Sequence, residues 1–530
     1  MRFFLKLGLT GSKILSQWGY GTRQFHSLKE NMRHLYINPL LLCDTYKLSH
    51  RQMLPPGCNL TYTNITARKS RVDGVDNVVV FGLQYFIQEY LIDRFQKDFF
   101  LKPKEEVVGS FEKFVSSCCG TGVINSDHVS DLYDLGYLPL VIKSVKEGTV
   151  CPIGVPFCTV YNTHKNFGWL TNFIETIMQC VLWRAITSAT DCKRLRQLGD
   201  KFAEETSDAL PFVDWQFHTF GMRGSDGLEC AILSDAGHLL NFTGSDTVPT
   251  LPFMEYYYGA KIGQEIVSMS VPASEHAVVC AYGEEGEIDT FRHIMQDVYP
   301  RGILSMISDS WDLTEIINPD NGYLVKLKQE ILDRDGKLVI RPDSSDKTPL
   351  EVICGDDKPE SKYNERQRPV IEKGVLRCLD EIFGSTINSK GYKELNAKIG
   401  LIYGEALSYE LLGKIFDTMK EMGYASTNLT CGIGSAFHMY NRTRDTYSIV
   451  CKSTYCEVNG EGRNIFKDPV TDSGSKKSMK GLLKVNTDFS VQQECTWDEE
   501  GEGILEEVFK DGILLREETL AGIRERLASQ

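Results

Sequence analysis

Residues 398–435 read KIGLIYGEALSYELLGKIFDTMKEMGYASTNLTCGIGS. An apolar run over 398–403 breaks at Gly404-Glu405, helical spacing takes over at 409–422, and a second apolar run over 428–431 ends in Gly432-Ile433-Gly434-Ser435. Strand periodicity that yields to helix periodicity and returns marks two strands joined through a helix. Working outward, the unit recurs. Residues 215–220 run into Gly221-Met222-Arg223-Gly224 and a helical stretch at 229–240. Residues 302–307 run into Ser308-Asp309-Ser310 and a helix near 313–317, and 338–340 into Arg341-Pro342-Asp343-Ser344. Each apolar strand ends in a short turn carrying Arg, Asp, Glu or Gly. A β/α barrel places its chemistry at the carboxyl ends of its strands. The pattern predicts an α/β fold built on an irregular, TIM-like β/α barrel. An open doubly wound sheet makes the same strand-end argument and is the alternative.

The barrel-like core is expected over 151–445. Residues 38–150 and 446–530 lie outside the alternation and are expected to pack together as an additional α+β domain drawn from the N- and C-terminal segments. Within them, 83–95 has helical spacing and 138–145 reads as a strand, while a long helical region covers 172–205. Residues 1–29 hold five basic residues, and the first acidic one is Glu30. Residues 1–37 therefore read as either a transit peptide, drawn by a negative membrane potential, or a disordered extension. Polar stretches at 356–368 and 472–480 read as surface loops.

The chain has 530 residues, 42% apolar and 25% charged, so wholesale disorder is excluded. A net charge of −14 argues against general binding to nucleic acid or anionic membranes, though it leaves room for a local basic pocket. No apolar run approaches the ~18 residues needed to span a bilayer. The 16 cysteines are scattered without a C-x-x-C pair, which favours reduced thiols over zinc or disulfides. These features predict a soluble intracellular protein, cytoplasmic or, if residues 1–29 are a transit peptide, mitochondrial.

Neither a P-loop nor a G-x-G-x-x-G fingerprint is present. The Gly432–Ser435 turn offers backbone N–H groups that could cradle a phosphate. Arg341-Pro342-Asp343-Ser344 joins a guanidinium, which grips phosphate oxygens, to a carboxylate suited to ribose or hydrated Mg²⁺. Arg223, Arg341 and Arg444 supply positive charge, and Asp309, Asp343 and Glu405 supply acids. Together they suit a phosphorylated sugar bound with Mg²⁺.

Beyond these turns, the chain carries Asp44-Thr45-Tyr46-Lys47, Phe81-Gly82-Leu83-Gln84-Tyr85, Trp169-Leu170-Thr171-Asn172, Phe220-Gly221-Met222-Arg223-Gly224 and Gly244-Ser245-Asp246-Thr247. It continues with Ser270-Val271-Pro272-Ala273, Glu275-His276, Ser308-Asp309-Ser310, Ile340-Arg341-Pro342-Asp343-Ser344 and Phe466-Lys467-Asp468-Pro469. In this order they resemble the nicotinamide phosphoribosyltransferases, within the nicotinate/nicotinamide family of type II phosphoribosyltransferases. The resemblance implies conversion of nicotinamide and 5-phosphoribosyl 1-pyrophosphate to nicotinamide mononucleotide and pyrophosphate, with Mg²⁺, in NAD salvage. It also implies ATP as co-substrate, acting through phosphorylation of His276, with Glu275 orienting the ring. The implied protein is a homodimer with active sites at the interface.

By the same resemblance the pyridine ring stacks between Phe220 and Tyr46 of the second subunit. Asp246 receives the carboxamide, Asp44 assists, and Ser270 and Ser305 complete the substrate contacts. Arg223 and Arg341 face the leaving pyrophosphate, with Asp309 and Asp343 holding hydrated metal. Gly404 and Glu405 face the ribose, and Gly434, Ser435 and Arg444 the 5′-phosphate. Arg68 and Lys452 form a phosphate entrance across the dimer. Three departures stand out. Glu405 replaces the family's usual Asp, Ser435-Ala436 replaces further glycines, and a longer spacing makes Arg442 an alternative to Arg444. Nicotinate phosphoribosyltransferase and a non-catalytic nucleotide-binding relative are the competing readings.

Overall fold

The structure, a computed structural model, describes residues 35–343, 346–467 and 478–530. The proposed leader therefore lies outside the described residues up to position 34, as does most of the polar stretch 472–480.

A five-stranded parallel sheet runs in the order Phe217–Thr219, Leu429–Ile433, Ile399–Tyr403, Asp335–Arg341, Arg301–Ile307. The opening stretch supplies two of these neighbours, with Leu401 opposite Leu429 and Tyr403 opposite Cys431. The helix between them, Tyr409–Glu421, starts where the Ser408 hydroxyl accepts the Leu411 N–H. Its Leu412, Ile415, Phe416 and Met419 recur at helical spacing and pack with buried Ile399, Leu401 and Tyr403.

Single parallel bridges carry the sheet round into an irregular barrel. Thr219 pairs with Ser245, Gly244 with Met269, and Ala273 with Ser305. Residues 269–273 thus span the gap between the two sheet edges and deliver Ser270 and, just beyond, Glu275 and His276.

A seven-stranded sheet is drawn from both ends of the chain. Its order is Glu461–Asn464, Ile449–Val458, Cys58–Ala67, Pro156–Asn162, Leu140–Ser144, Glu506–Lys510, Ile513–Leu514. Asn64 sits opposite Lys452, so distant segments share one ladder. Pro156–Asn162 belongs to this sheet, which therefore reaches past position 150. The helix expected at 172–205 is Leu170–Thr206. Its Leu170, Phe173, Ile174 and Met178 lie in the core under the antiparallel sheet, and its Cys192, Leu195 and Phe202 in the barrel's core. The helix expected over 83–95 begins at Leu83–Phe86 and widens to a π-type turn over Ile87–Asp93.

The C-terminal helix Leu520–Ala528 closes back on the barrel. Its Arg524 donates to the carbonyls of Leu239, Phe242, Ile266 and Val267. All sixteen cysteines are free, as expected. Among the described residues no helix is long and apolar enough to cross a membrane.

Candidate active site

A cavity of about 1140 Å³ runs down the barrel bore. Strand alternation sets its lining. Leu338 and Ile340 are buried in the surrounding core, while Lys337, Val339 and Arg341 face the bore. Phe217 and Thr219 are buried likewise, and His218 and Phe220 face inward. The carboxyl ends of the strands present Phe220, Arg223, Asp246, Ser270, His276, Arg341 and Asp343 at one end.

Phe220 leaves its strand with its N–H on the Ile433 carbonyl, at 3.0 Å. Its ring lies over two glycines at neighbouring strand ends. A Cβ on Gly404 would fall 2.1 Å from Phe220 Cζ, and one on Gly432 would fall 2.0 Å from it. Gly404 therefore serves first as the floor beneath an aromatic ring. The turn behind it is equally tight, because a Cβ on Gly224 would come 2.5 Å from Ser435 Oγ. The Arg223 turn and the Gly434-Ser435 turn are thus packed on each other.

Asp246 stands beside the ring with its side chain 46% exposed. Its Oδ1 accepts from His218 Nε2 at 3.0 Å and from the Ser270 hydroxyl. Partial burial pushes its carboxyl up, but the hydrogen bonds from His218 and Ser270 and the charges of His218 and Arg341 outweigh it and hold the group below the ordinary aspartate value. Among the described residues Oδ2 makes no hydrogen bond, so one acceptor stays open toward the cavity. His218 was missed in the sequence. The available signal was its place two residues before Phe220, on the same strand face.

The cationic groups differ in commitment. Arg341 ends its strand with Nη2 on the Ser274 carbonyl and with Nε buried without a partner. Arg223 occupies the exposed turn Met222–Gly224 and has no ion-pair partner among the described residues. Arg442 is a buried strut, with Nε 2.5 Å from Asp191, which also accepts from Tyr447 at 2.6 Å. Arg444 is half-exposed and pairs with Asp445 at 2.8 Å. Of the two, Arg444 is the one facing solvent.

His276 Nε2 lies 3.0 Å from Asp309 Oδ1, and Asp309 Oδ2 accepts the Asp343 N–H at 2.5 Å. Asp309, and not Glu275, orients the histidine ring. Glu275 precedes the first turn of His276–Cys280 and makes no side-chain hydrogen bond to the imidazole. Glu405 completes an acidic group. Burial pushes its carboxyl above the ordinary glutamate value, and the charges of Asp343 and Asp309 add to that. Among the described residues no set of three His, Cys, Asp or Glu is close enough to cage a metal directly. Facing carboxylates with oxygens alone to offer suit Mg²⁺ held through water. Asp309 is largely occupied by His276 and the Asp343 amide, so Asp343 and Glu405 are the better placed pair.

Ser305 lines the cavity with its hydroxyl buried and unpartnered. Asp309, Gly404, Glu405, Gly434, Ser435 and Arg444 are not among the residues lining this cavity, nor are Asp44, Tyr46, Arg68 and Lys452. Asp44 caps the helix Thr45–Met53 and accepts from Thr176 at 3.5 Å, and Tyr46 is 57% exposed. Arg68 follows the strand Cys58–Ala67, with its N–H on the Ser448 carbonyl, and Lys452 lies exposed on the neighbouring strand.

Residues 215–513 match the nicotinate phosphoribosyltransferase (NAPRTase) family, and 38–112 match the N-terminal domain of nicotinamide phosphoribosyltransferase. A nicotinamide phosphoribosyltransferase of Acinetobacter baylyi is 41% identical over 93% of this chain and 98% of its own length. One from Mycoplasma pneumoniae is 32% identical over 84% of this chain and 95% of its own. The crystal structure of human nicotinic acid phosphoribosyltransferase shares the fold at 16% identity, with a TM-score of 0.50 over 92% of this chain and 93% of that one. The chain belongs to the nicotinate phosphoribosyltransferase family, a family of pentosyltransferases.

Proposed function

We propose that the chain is a nicotinamide phosphoribosyltransferase, joining nicotinamide to 5-phosphoribosyl 1-pyrophosphate to form nicotinamide mononucleotide and pyrophosphate in NAD salvage. The observation that carries this reading is the carboxylate of Asp246, held by His218 and Ser270 and open at Oδ2 toward the cavity beside Phe220. A pyridine ring on Phe220 places its carboxamide N–H₂ against that oxygen. A nicotinate carboxylate would meet like charge there. Two unit charges ~4 Å apart at an effective dielectric of ~20 repel by about 4 kcal/mol, and the half-exposure of Asp246 lowers this to about 1–2 kcal/mol.

In the chemical step the pyridine nitrogen forms a bond to the anomeric carbon as the bond to pyrophosphate oxygen breaks. Arg223 and Arg341 face the charge that develops on the leaving group. Asp343 and Glu405, with Asp309 beside them, would hold Mg²⁺ through water, and the bound ion would neutralise pyrophosphate. Gly434, Ser435 and Arg444 face the 5′-phosphate.

ATP enters through His276. Asp309 accepts the Nε2–H, so the lone pair lies on Nδ1. Attack from Nδ1 on the γ-phosphorus forms an N–P bond, breaks the bond to the β,γ-bridging oxygen and releases ADP. Asp309 balances the imidazolium charge. Tyr46, Asp44, Arg68 and Lys452 lie off this chain's cavity, and a homodimer supplies them from a second copy. Tyr46 then covers the face of the pyridine opposite Phe220.

Turnover of nicotinamide and nicotinate, measured in parallel with phosphoribosyl pyrophosphate and Mg²⁺, tests the reading. A kcat/KM preference for nicotinamide of about tenfold or more is expected. Preference for nicotinate, or no nicotinamide mononucleotide at all, overturns it.

A further inference from the structure

We infer that Asp235 is a positioning residue for substrate selection, setting through Ser245 the turn that presents Asp246 to the carboxamide. Asp235 lies on the helix Leu228–Leu239 and is 2% exposed. Its Oδ1 accepts from the Ser245 hydroxyl at 2.7 Å, and Ser245 Oγ accepts the Thr247 N–H at 3.0 Å. The carboxylate therefore fixes both the direction of the Ser245 proton and the lone pair that receives Thr247. Asp246 sits between those two residues.

One helical turn along, His238 Nε2 donates to the Gly244 carbonyl at 3.1 Å. Two side chains from one helix face thus grip the turn from beneath, while Asp246 emerges above it into the cavity. Main-chain bonds hold the edges of this turn, with the Asp246 N–H on the Thr219 carbonyl at 2.9 Å and the Ser245 N–H on the Met269 carbonyl at 3.1 Å. Isolated bridges join Thr219 to Ser245 and Gly244 to Met269, with no strand of ordinary length on either side. The side chains of Asp235 and His238 add contacts from the helix side, where the ladder has none.

Burying a carboxylate costs free energy that hydrogen bonds only partly offset. Burial raises the Asp235 carboxyl, and the hydroxyls of Thr250 and Ser245 beside it only partly offset that. Packing alone would be better served by an apolar residue here. What the carboxylate supplies is the Ser245 contact. Asparagine can supply the same contact, since its amide oxygen accepts from Ser245 and its N–H₂ can turn to Thr250.

The inference rests on the proposed nicotinamide activity, and steady-state kinetics on the full-length protein separates the two. Asp235→Ala should raise the KM for nicotinamide by about tenfold, the weight of one ordering hydrogen bond. The KM for phosphoribosyl pyrophosphate and kcat should stay within about twofold. Asp235→Asn should bring the nicotinamide KM back to within about twofold of wild type. If Asp235→Ala does not fold, Ser245→Ala breaks the same contact from the other end and should give the same selective rise. An unchanged nicotinamide KM in a folded variant, or a parallel loss in both substrates and kcat, overturns the inference. Failure of the wild-type protein to use nicotinamide overturns the functional reading instead.

Discussion

Replacing Gly404 by alanine tests the aromatic seat most directly. The new Cβ would lie 2.1 Å from Phe220 Cζ and 2.9 Å from Cε2, and its three nearest atoms all belong to that ring. Carbon atoms pack at ~3.5 Å or more, so the ring must withdraw by about 1.4 Å. Gly404 does not have a positive φ, so alanine brings no backbone strain. The clash should therefore displace Phe220 without unfolding the barrel. A shift of ~1 Å in a positioning group costs roughly 10²-fold, about 2.7 kcal/mol in transition-state binding. Nicotinamide kcat/KM should fall about a hundredfold, with the KM for phosphoribosyl pyrophosphate and the melting temperature nearly unchanged. Adding Phe220→Leu, which removes the clashing edge, should make the double variant less impaired than the product of the two single losses. A Gly404→Ala protein within about threefold of wild-type kcat/KM would refute the argument that glycine is there for the ring.

Asp246→Asn removes the charge and keeps the shape. The preference for nicotinamide over nicotinate should shrink about tenfold in competing-substrate assays, and an unchanged ratio would place discrimination elsewhere. Arg334→Met strips donors from the carbonyls of Met295, Tyr299, Arg301, Gly302 and Lys337 at the amino end of the barrel strands. Urea unfolding should show a loss of about 3 kcal/mol. Burial pushes the Asp235 carboxyl up to about 7 from an ordinary 3.8. The folded state then holds that proton more tightly than the unfolded chain, so the contribution is full below ~4 and is lost as pH rises through about 7. Stability should rise by about 1 kcal/mol from pH 7.5 to 6 through this group, and Asp235→Asn should flatten that slope in chemical denaturation.

Regular elements were legible because they repeat. The helix Tyr409–Glu421 announces itself through Leu412, Ile415, Phe416 and Met419, and the strand ends through the turns that follow them. The pairing of Asn64 with Lys452 was not legible, because nothing local in either strand names a partner so far along the chain. The role of Asp309 was hidden for the same reason. Glu275 is next to His276 in sequence, yet successive residues at a helix start diverge, and the carboxylate that reaches the ring comes from the following strand end. His218 looked like one polar residue in an apolar run until the barrel curvature turned its face to the bore.

The least regular part of the barrel is also the part that carries Asp246 and Ser270 beside His218. A continuous strand ladder alternates side chains strictly and fixes their spacing along the bore. Asp246, Ser270 and His218 come from neighbouring bridged segments and meet at one carboxylate oxygen, within the reach of cross-strand neighbours on one face. A recognition group held loosely loses its discrimination, so contacts that fix this turn bear on the cavity. Asp235 and His238 constrain the turn from the helix beneath, and Arg524 binds the carbonyls of Ile266 and Val267 just before Ser270. If Asp246 selects the substrate as proposed, the docking of the C-terminal helix supports that choice without lining the cavity.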